Sequence, residues 1–114
     1  MIKLNINEEE KRVYINVDGY ITKRDTKNFL NTYKQAMKNK KASLYKLVVS
    51  PSFFECEDEE DIRTVCMSFL KTGFKKIYLV DEDNYIMKNL SLNSIEKKIF
   101  LKSVKVINTM EAIK

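Results

Sequence analysis

Residues 45–73 place the tightest limit on what this chain can fold into. A short apolar run, Leu47-Val48-Val49, breaks at Ser50-Pro51-Ser52, passes Phe53-Phe54 and enters the acidic segment Glu55-Cys56-Glu57-Asp58-Glu59-Glu60-Asp61. Beyond it, Ile62, Val65, Cys66, Phe69 and Leu70 recur at the three-and-four spacing of one helical face, and Gly73 supplies the expected left-handed stop. The stretch predicts a buried strand, a crossing loop and a helix, the loop and helix start running from Ser50 to Asp61. In open α/β sheets partners and ligands meet the chain where strands end and helices begin, so this junction is the candidate site.

The flanking segments extend the same alternation. Ile2, Leu4 and Ile6 alternate with Lys3, Asn5 and Asn7, and Val13, Ile15 and Val17 alternate with Tyr14 and Asn16, which predicts a hairpin turning at Glu8–Lys11 and closed by Asp18-Gly19. Thr22 reads as a helix N-cap, with Asp25 three residues on to complete a variant capping box. Phe29, Leu30, Tyr33 and Met37 form the inward stripe of that helix, which should end near Asn39. Ile77 to Val80 is a short continuous apolar run, as expected of a strand buried on both faces. A less regular helical stretch from Tyr85 to Phe100 shifts register near Ser91-Leu92-Asn93. Val104, Val106 and Ile107 predict a last strand, followed by a helical turn carrying Met110 and Ile113. The resulting order is β-β-α-β-α-β-α-β-α. Such crossovers imply parallel neighbours, hence an α/β domain built on a mixed β-sheet with helices.

Length and composition narrow the class of function. At 114 residues the chain supports a single domain over 1–114, and two glycines with one proline leave no linker. No apolar run approaches the ~20 residues needed to span a bilayer, and residues 1–7 lack the layout of a secretory signal, so the expected location is cytoplasmic. The net charge of +5 comes mainly from scattered lysine; only Arg12, Arg24 and Arg63 are arginine. Bidentate recognition of phosphate or guanine favours arginine, and the central segment is acidic, so no nucleic-acid partner is expected.

Catalysis has few groups to work with. There is no histidine, which removes imidazole ligation and the usual general base near neutral pH. Cys56 is surrounded in sequence by carboxylates, which disfavour its thiolate, and Cys66 falls on the apolar helix face. The acidic segment lacks the glycine-punctuated spacing of a calcium loop. No glycine-rich phosphate loop is present. The chain is therefore expected to be no enzyme, with no catalytic residue, no metal and no cofactor.

What remains is a surface. Two adjacent aromatics on an extended chain cannot face the same side, so one of Phe53 and Phe54 should be core and the other should lie near the surface beside Tyr20 or Tyr85. Six carboxylates lie within residues 55–61. They are either a solvated helix start, favoured by the helix dipole, or an address for a basic partner. The candidate partner-binding residues are Ser50, Ser52, Phe53, Phe54, Glu55, Cys56, Glu57, Asp58 and Glu59. Two other readings stay open. One is a pocket between sheet and helices for an apolar small molecule or lipid, lined by Phe53, Phe54, Met67 or Met87. The other is a self-associating scaffold with an exposed edge strand such as Ile2 to Ile6.

Several of these features together resemble the STAS domain family, the fold of bacterial anti-sigma-factor antagonists. They are the strand ending in Asp18-Gly19, Gly19-Tyr20-Ile21-Thr22 leading into the polar helix opening Ile21 to Asp25, Leu47 to Val49 before the loop, and the ending Val104 to Ile113. The related SpoIIAA-like branch shares that opening and often carries an aspartate after the fourth strand, as Asp81 does here. The resemblance implies a STAS/SpoIIAA-like order and a regulatory role through protein-protein interaction, with a protein partner such as an anti-sigma-factor-like regulator. One departure matters. The family's antagonists carry a phosphorylatable hydroxyl at the start of the second helix, where this chain has Glu55-Cys56-Glu57-Asp58, and Ser50 and Ser52 lie upstream of it.

Overall fold

The computed structural model describes residues 1–81, 86, 93–110 and 113. Strand β1 (Ile2–Asn7) and strand β2 (Arg12–Ile21) form the antiparallel hairpin, with Ile2 opposite Val17 and Asn7 opposite Arg12. Helix α1 (Lys23–Met37) follows, then a 3₁₀ turn (Ala42–Leu44), strand β3 (Lys46–Cys56), helix α2 (Glu60–Thr72), strand β4 (Lys76–Val80), helix α3 (Ser94–Ser103) and strand β5 (Val104–Ile107). The strands lie in chain order, β1-β2-β3-β4-β5, and β2 to β5 run parallel. When right-handed crossovers always step to the next strand in one direction, each connecting helix falls on the same face. The packing agrees: Phe29 of α1, Phe69 of α2 and Phe100 of α3 join Val13, Ile15, Leu47, Ile77, Leu79 and Val104 in one core.

Local chemistry places the helix ends where expected. The Thr22 hydroxyl accepts the Asp25 amide at 3.0 Å while the Asp25 carboxylate accepts the Thr22 amide at 3.0 Å, a reciprocal capping box. Gly73 closes α2 at φ +83°, where a side chain would be strained. Asn93 and Glu96 form a second capping box, which starts α3 at Ser94. The remainder of the helical stretch from Tyr85, and most of the final turn around Met110 and Ile113, lie outside the described residues.

Two boundaries differ from expectation. β2 does not stop at Asp18-Gly19 but runs to Ile21, with Gly19 at φ +73° inside the strand. Nor does a crossing loop begin at Ser50: β3 continues through Pro51 to Cys56, paired with β2 from end to end apart from one irregularity. Its pairing with β4 ends at Val49, opposite Leu79. Past that point β3 has a single neighbour among the described residues, an edge-like position that tolerates proline.

The opposite face of the sheet is smaller in content. Val48, Tyr78, Val80 and Ile107 are buried there, with Tyr14 and Ile113 packed against them.

Candidate functional site

The site is shaped by a one-residue irregularity. Val17 pairs with Pro51, but Gly19 pairs with Phe54, so β3 carries one more residue than β2 over this interval, a β-bulge at Ser52-Phe53. Side chains alternate along a strand, so an inserted residue swaps which parity faces inward. Leu47 and Val49 face the helices before the bulge; Phe54 and Cys56 face them after it. Phe54 is only 5% exposed. Phe53 is left on the outer face, 85% exposed, with Glu55 next along it and Tyr20, registered against Glu55 and 59% exposed, alongside.

The turn into α2 is held by Asp58. Its carboxylate accepts the Glu60 amide at 3.0 Å and receives Lys23 at 3.2 Å, while its carbonyl accepts the Asp61 amide at 3.0 Å. The Glu57 amide donates to the Ile21 carbonyl at 2.8 Å, tying the end of β2 to the same turn. The starts of α1 and α2 are thereby joined. Arg63 bonds Glu60 at 3.4 Å and also Glu96, which joins α2 to α3.

The nine residues singled out from sequence are thus divided by the fold. Glu55, Glu57 and Glu59 are exposed with Phe53 and Ser52; Ser50 is half-buried, its hydroxyl 3.6 Å from the Met110 sulfur. Asp58 is structural as well as acidic. Phe54 and Cys56 turn inward, away from any partner approaching the outer face. Lys23 had no sequence signal, being far from Asp58 along the chain. Asp61 did have one: it stands four residues before Val65, in line with the inward stripe, and its Oδ2 is buried without a hydrogen-bond partner among the described residues.

The inward side holds a half-open apolar cavity of about 60 Å³ between sheet, α1 and α2, bordered by Ile15, Val17, Phe54, Cys56, Asp61 and Cys66 among others. Ligand pockets run to roughly 300–1,000 Å³, so this space is far smaller than a lipid-sized site. Neither Phe53 nor Met67 borders it. Burial, followed by Asp61, Glu59 and Asp58, pushes the Cys56 thiol up to about 11, and burial pushes Cys66 up to about 12. Both are poor nucleophiles near neutral pH. Among the described residues no cluster of three metal-ligating side chains occurs and no helix is long and apolar enough to cross a membrane.

The caps and bridges make the corner sensitive to acid. The Glu60 amide and then Lys23 hold Asp58 below the ordinary value of 3.8, and the Asn93 amide and then Arg63 hold Glu96 below 4.5. A carboxylate whose pKa is lower folded than unfolded adds stability at pH values above the unfolded pKa, and that stability is lost as pH falls through the folded pKa. The melting temperature should therefore be level between about pH 7 and pH 5 and fall below about pH 4. Calorimetry across that range checks it, and Asp58→Asn should show a smaller acid-side fall than the natural chain.

No known family profile and no curated protein sequence matches this chain. Solved structures do match its shape. The anti-sigma factor antagonist SpoIIAA in its unphosphorylated form superposes with a TM-score of 0.58 at 10% identity, covering 97% of this chain and 91% of that one. An uncharacterised protein of the DUF3478 family with a SpoIIAA-like fold, from Shewanella loihica PV-4, superposes with a TM-score of 0.57 at 9% identity, covering 97% of this chain and 87% of that one. With its mixed five-stranded sheet and the helices on one face of it, the chain has the SpoIIAA-like fold.

Proposed function

We propose that this chain is a non-enzymatic regulatory module that receives a protein partner at the corner where β2 and β3 end and α2 begins. The observation that carries the reading is the exposure of Phe53 beside Tyr20, with Glu55, Glu57 and Glu59 around them. Two large aromatics exposed side by side offer apolar area that a partner can bury, and aromatic anchors commonly dominate binding energy. The carboxylates add direction. They steer a surface of opposite charge and repel acidic competitors, so the partner is expected to offer an apolar slot rimmed by lysine or arginine.

The likeness to an anti-sigma factor antagonist supports a regulatory protein as the partner. Because Asp58 and Glu59 lead into α2 and Glu60 and Asp61 lie in its first turn, with Glu55 at the end of β3 and Glu57 just after it, the corner carries its negative charge constitutively, without a modified hydroxyl at that place. Partners are to be captured from the native cell on the natural chain, on Phe53→Ala and on Glu55→Gln/Glu57→Gln/Glu59→Gln. Retention of a specific protein should fall at least about tenfold for Phe53→Ala, and the neutralised variant should lose the salt dependence of capture. Equal retention by all three, each folded by circular dichroism, would overturn the reading.

A further inference from the structure

We propose that β1 is a self-association edge, through which two copies of this chain join into one continuous sheet across a two-fold axis. β1 is the outermost strand and, among the described residues, pairs only with β2. Its hydrogen-bonding phase can be worked out. Met1 and Asp18 exchange both backbone bonds, the Asp18 amide donating to the Met1 carbonyl at 2.9 Å and the Met1 amino group to the Asp18 carbonyl. Antiparallel pairs alternate between bonded and non-bonded. Lys3, Asn5 and Asn7 therefore bond inward to β2, and the amides and carbonyls of Ile2, Leu4 and Ile6 point outward along the open edge. The edge has little of the usual protection. It contains no proline and no bulge, and its only charged side chain is Lys3.

Space beside the edge is already shaped. A groove of about 420 Å³ runs between β1 and α1, with Ile2, Leu4 and Phe29 as its apolar lining and Asp25, Asn28 and Thr32 along its helical wall. No lysine borders it. An added strand would seat alternate side chains there while its backbone bonds the edge.

The occupant that fits is a second β1. An antiparallel pair centred on Leu4 opposes Leu4 to Leu4 of the second copy, Ile2 to its Ile6, and Lys3 to its Asn5. Every outward-pointing residue then finds a bonding partner, the leucines and isoleucines of both copies form one row beneath the two α1 helices, and no like charges meet. Centring on Lys3 instead would oppose two lysines and leave Ile6 unpaired; centring on Asn5 would leave Ile2 unpaired. The contact is isologous, so it closes as a dimer and does not propagate. It lies along a different edge from the acidic corner and is independent of the role proposed for it.

The register gives a test that leaves the core alone, because Lys3 and Asn5 are exposed on the opposite face from the helices. Asn5→Lys places a lysine against Lys3 of the second copy twice over, and Asn5→Glu places a glutamate there twice over. In sedimentation equilibrium the natural chain should approach twice 13.5 kDa as concentration rises. The dimer dissociation constant of Asn5→Lys should exceed that of Asn5→Glu by roughly tenfold at low salt. The same substitutions at the exposed turn residue Asn39 set the contribution of net charge alone and should show little separation. Hydrogen exchange adds a readout by position: the Ile2, Leu4 and Ile6 amides should gain protection with concentration. A mass of 13.5 kDa up to about 1 mM, a dimer equally stable in both Asn5 variants, or one that leaves those amides unprotected would each overturn the proposal.

Discussion

Phe54→Ala is expected to lower the free energy of unfolding by about 3–4 kcal/mol, while Phe53→Ala one residue away should change it by less than about 0.5 kcal/mol. Phe54 is packed in the main core with Ile62 and Ile86, 5% exposed, at a point where the core already holds a small cavity. Truncation there loses the transfer energy of the ring and enlarges a void that surrounding strands cannot close. Phe53 has water on nearly all sides in the isolated chain, so its removal forfeits little. At about 4 °C per kcal/mol the two variants should melt roughly 12–16 °C apart. Comparable losses at both positions would mean that the bulge at Ser52-Phe53 is absent and that the parity of β3 is different.

Asp81→Ala should cost about 2–3 kcal/mol, more than its length of side chain suggests. Asp81 follows β4 and is 2% exposed. Its carboxylate accepts the Ile86 amide at 3.2 Å, and its own amide donates to the Ile107 carbonyl at 3.0 Å, extending the β4 and β5 pairing by one step. Removing the carboxylate leaves a buried N–H without its acceptor, which is the expensive kind of hydrogen-bond loss. Asp81→Asn keeps an acceptor oxygen and should recover about half of the loss. Denaturant unfolding of both variants checks the pair; equal destabilisation by alanine and asparagine would show that charge, and not the acceptor for the Ile86 amide, is what Asp81 contributes.

The features that sequence made legible are those whose causes lie within a few residues. Thr22 and Asp25 can form their capping box only with each other, Gly73 is the residue that a left-handed stop admits at low cost, and the alternation of Ile2, Leu4 and Ile6 follows from the pleat. The stripe of α2 likewise implied a face to bury, and β5 was visible as Val104, Val106 and Ile107. The boundaries of β2 and β3 were read too short because Gly19 and Pro51 are ordinarily breakers. Each is accommodated here by its neighbours in space: Gly19 by the offset against β3, Pro51 by a strand that outlasts β4.

What sequence determined by itself was a sheet with helices and the expectation that one of two adjacent phenylalanines would be exposed. Which one was decided by the bulge, and a bulge is a mismatch in length between two strands 34 residues apart at Val17 and Pro51, visible only once they are paired. The same holds for the corner: Lys23 reaches Asp58, and Tyr20 comes beside Glu55, because parallel pairing carries the ends of β2 and β3 to one place. Local chemistry sets the conformation of each segment, but the juxtaposition that makes a binding surface depends on register, and register is a property of the assembled sheet.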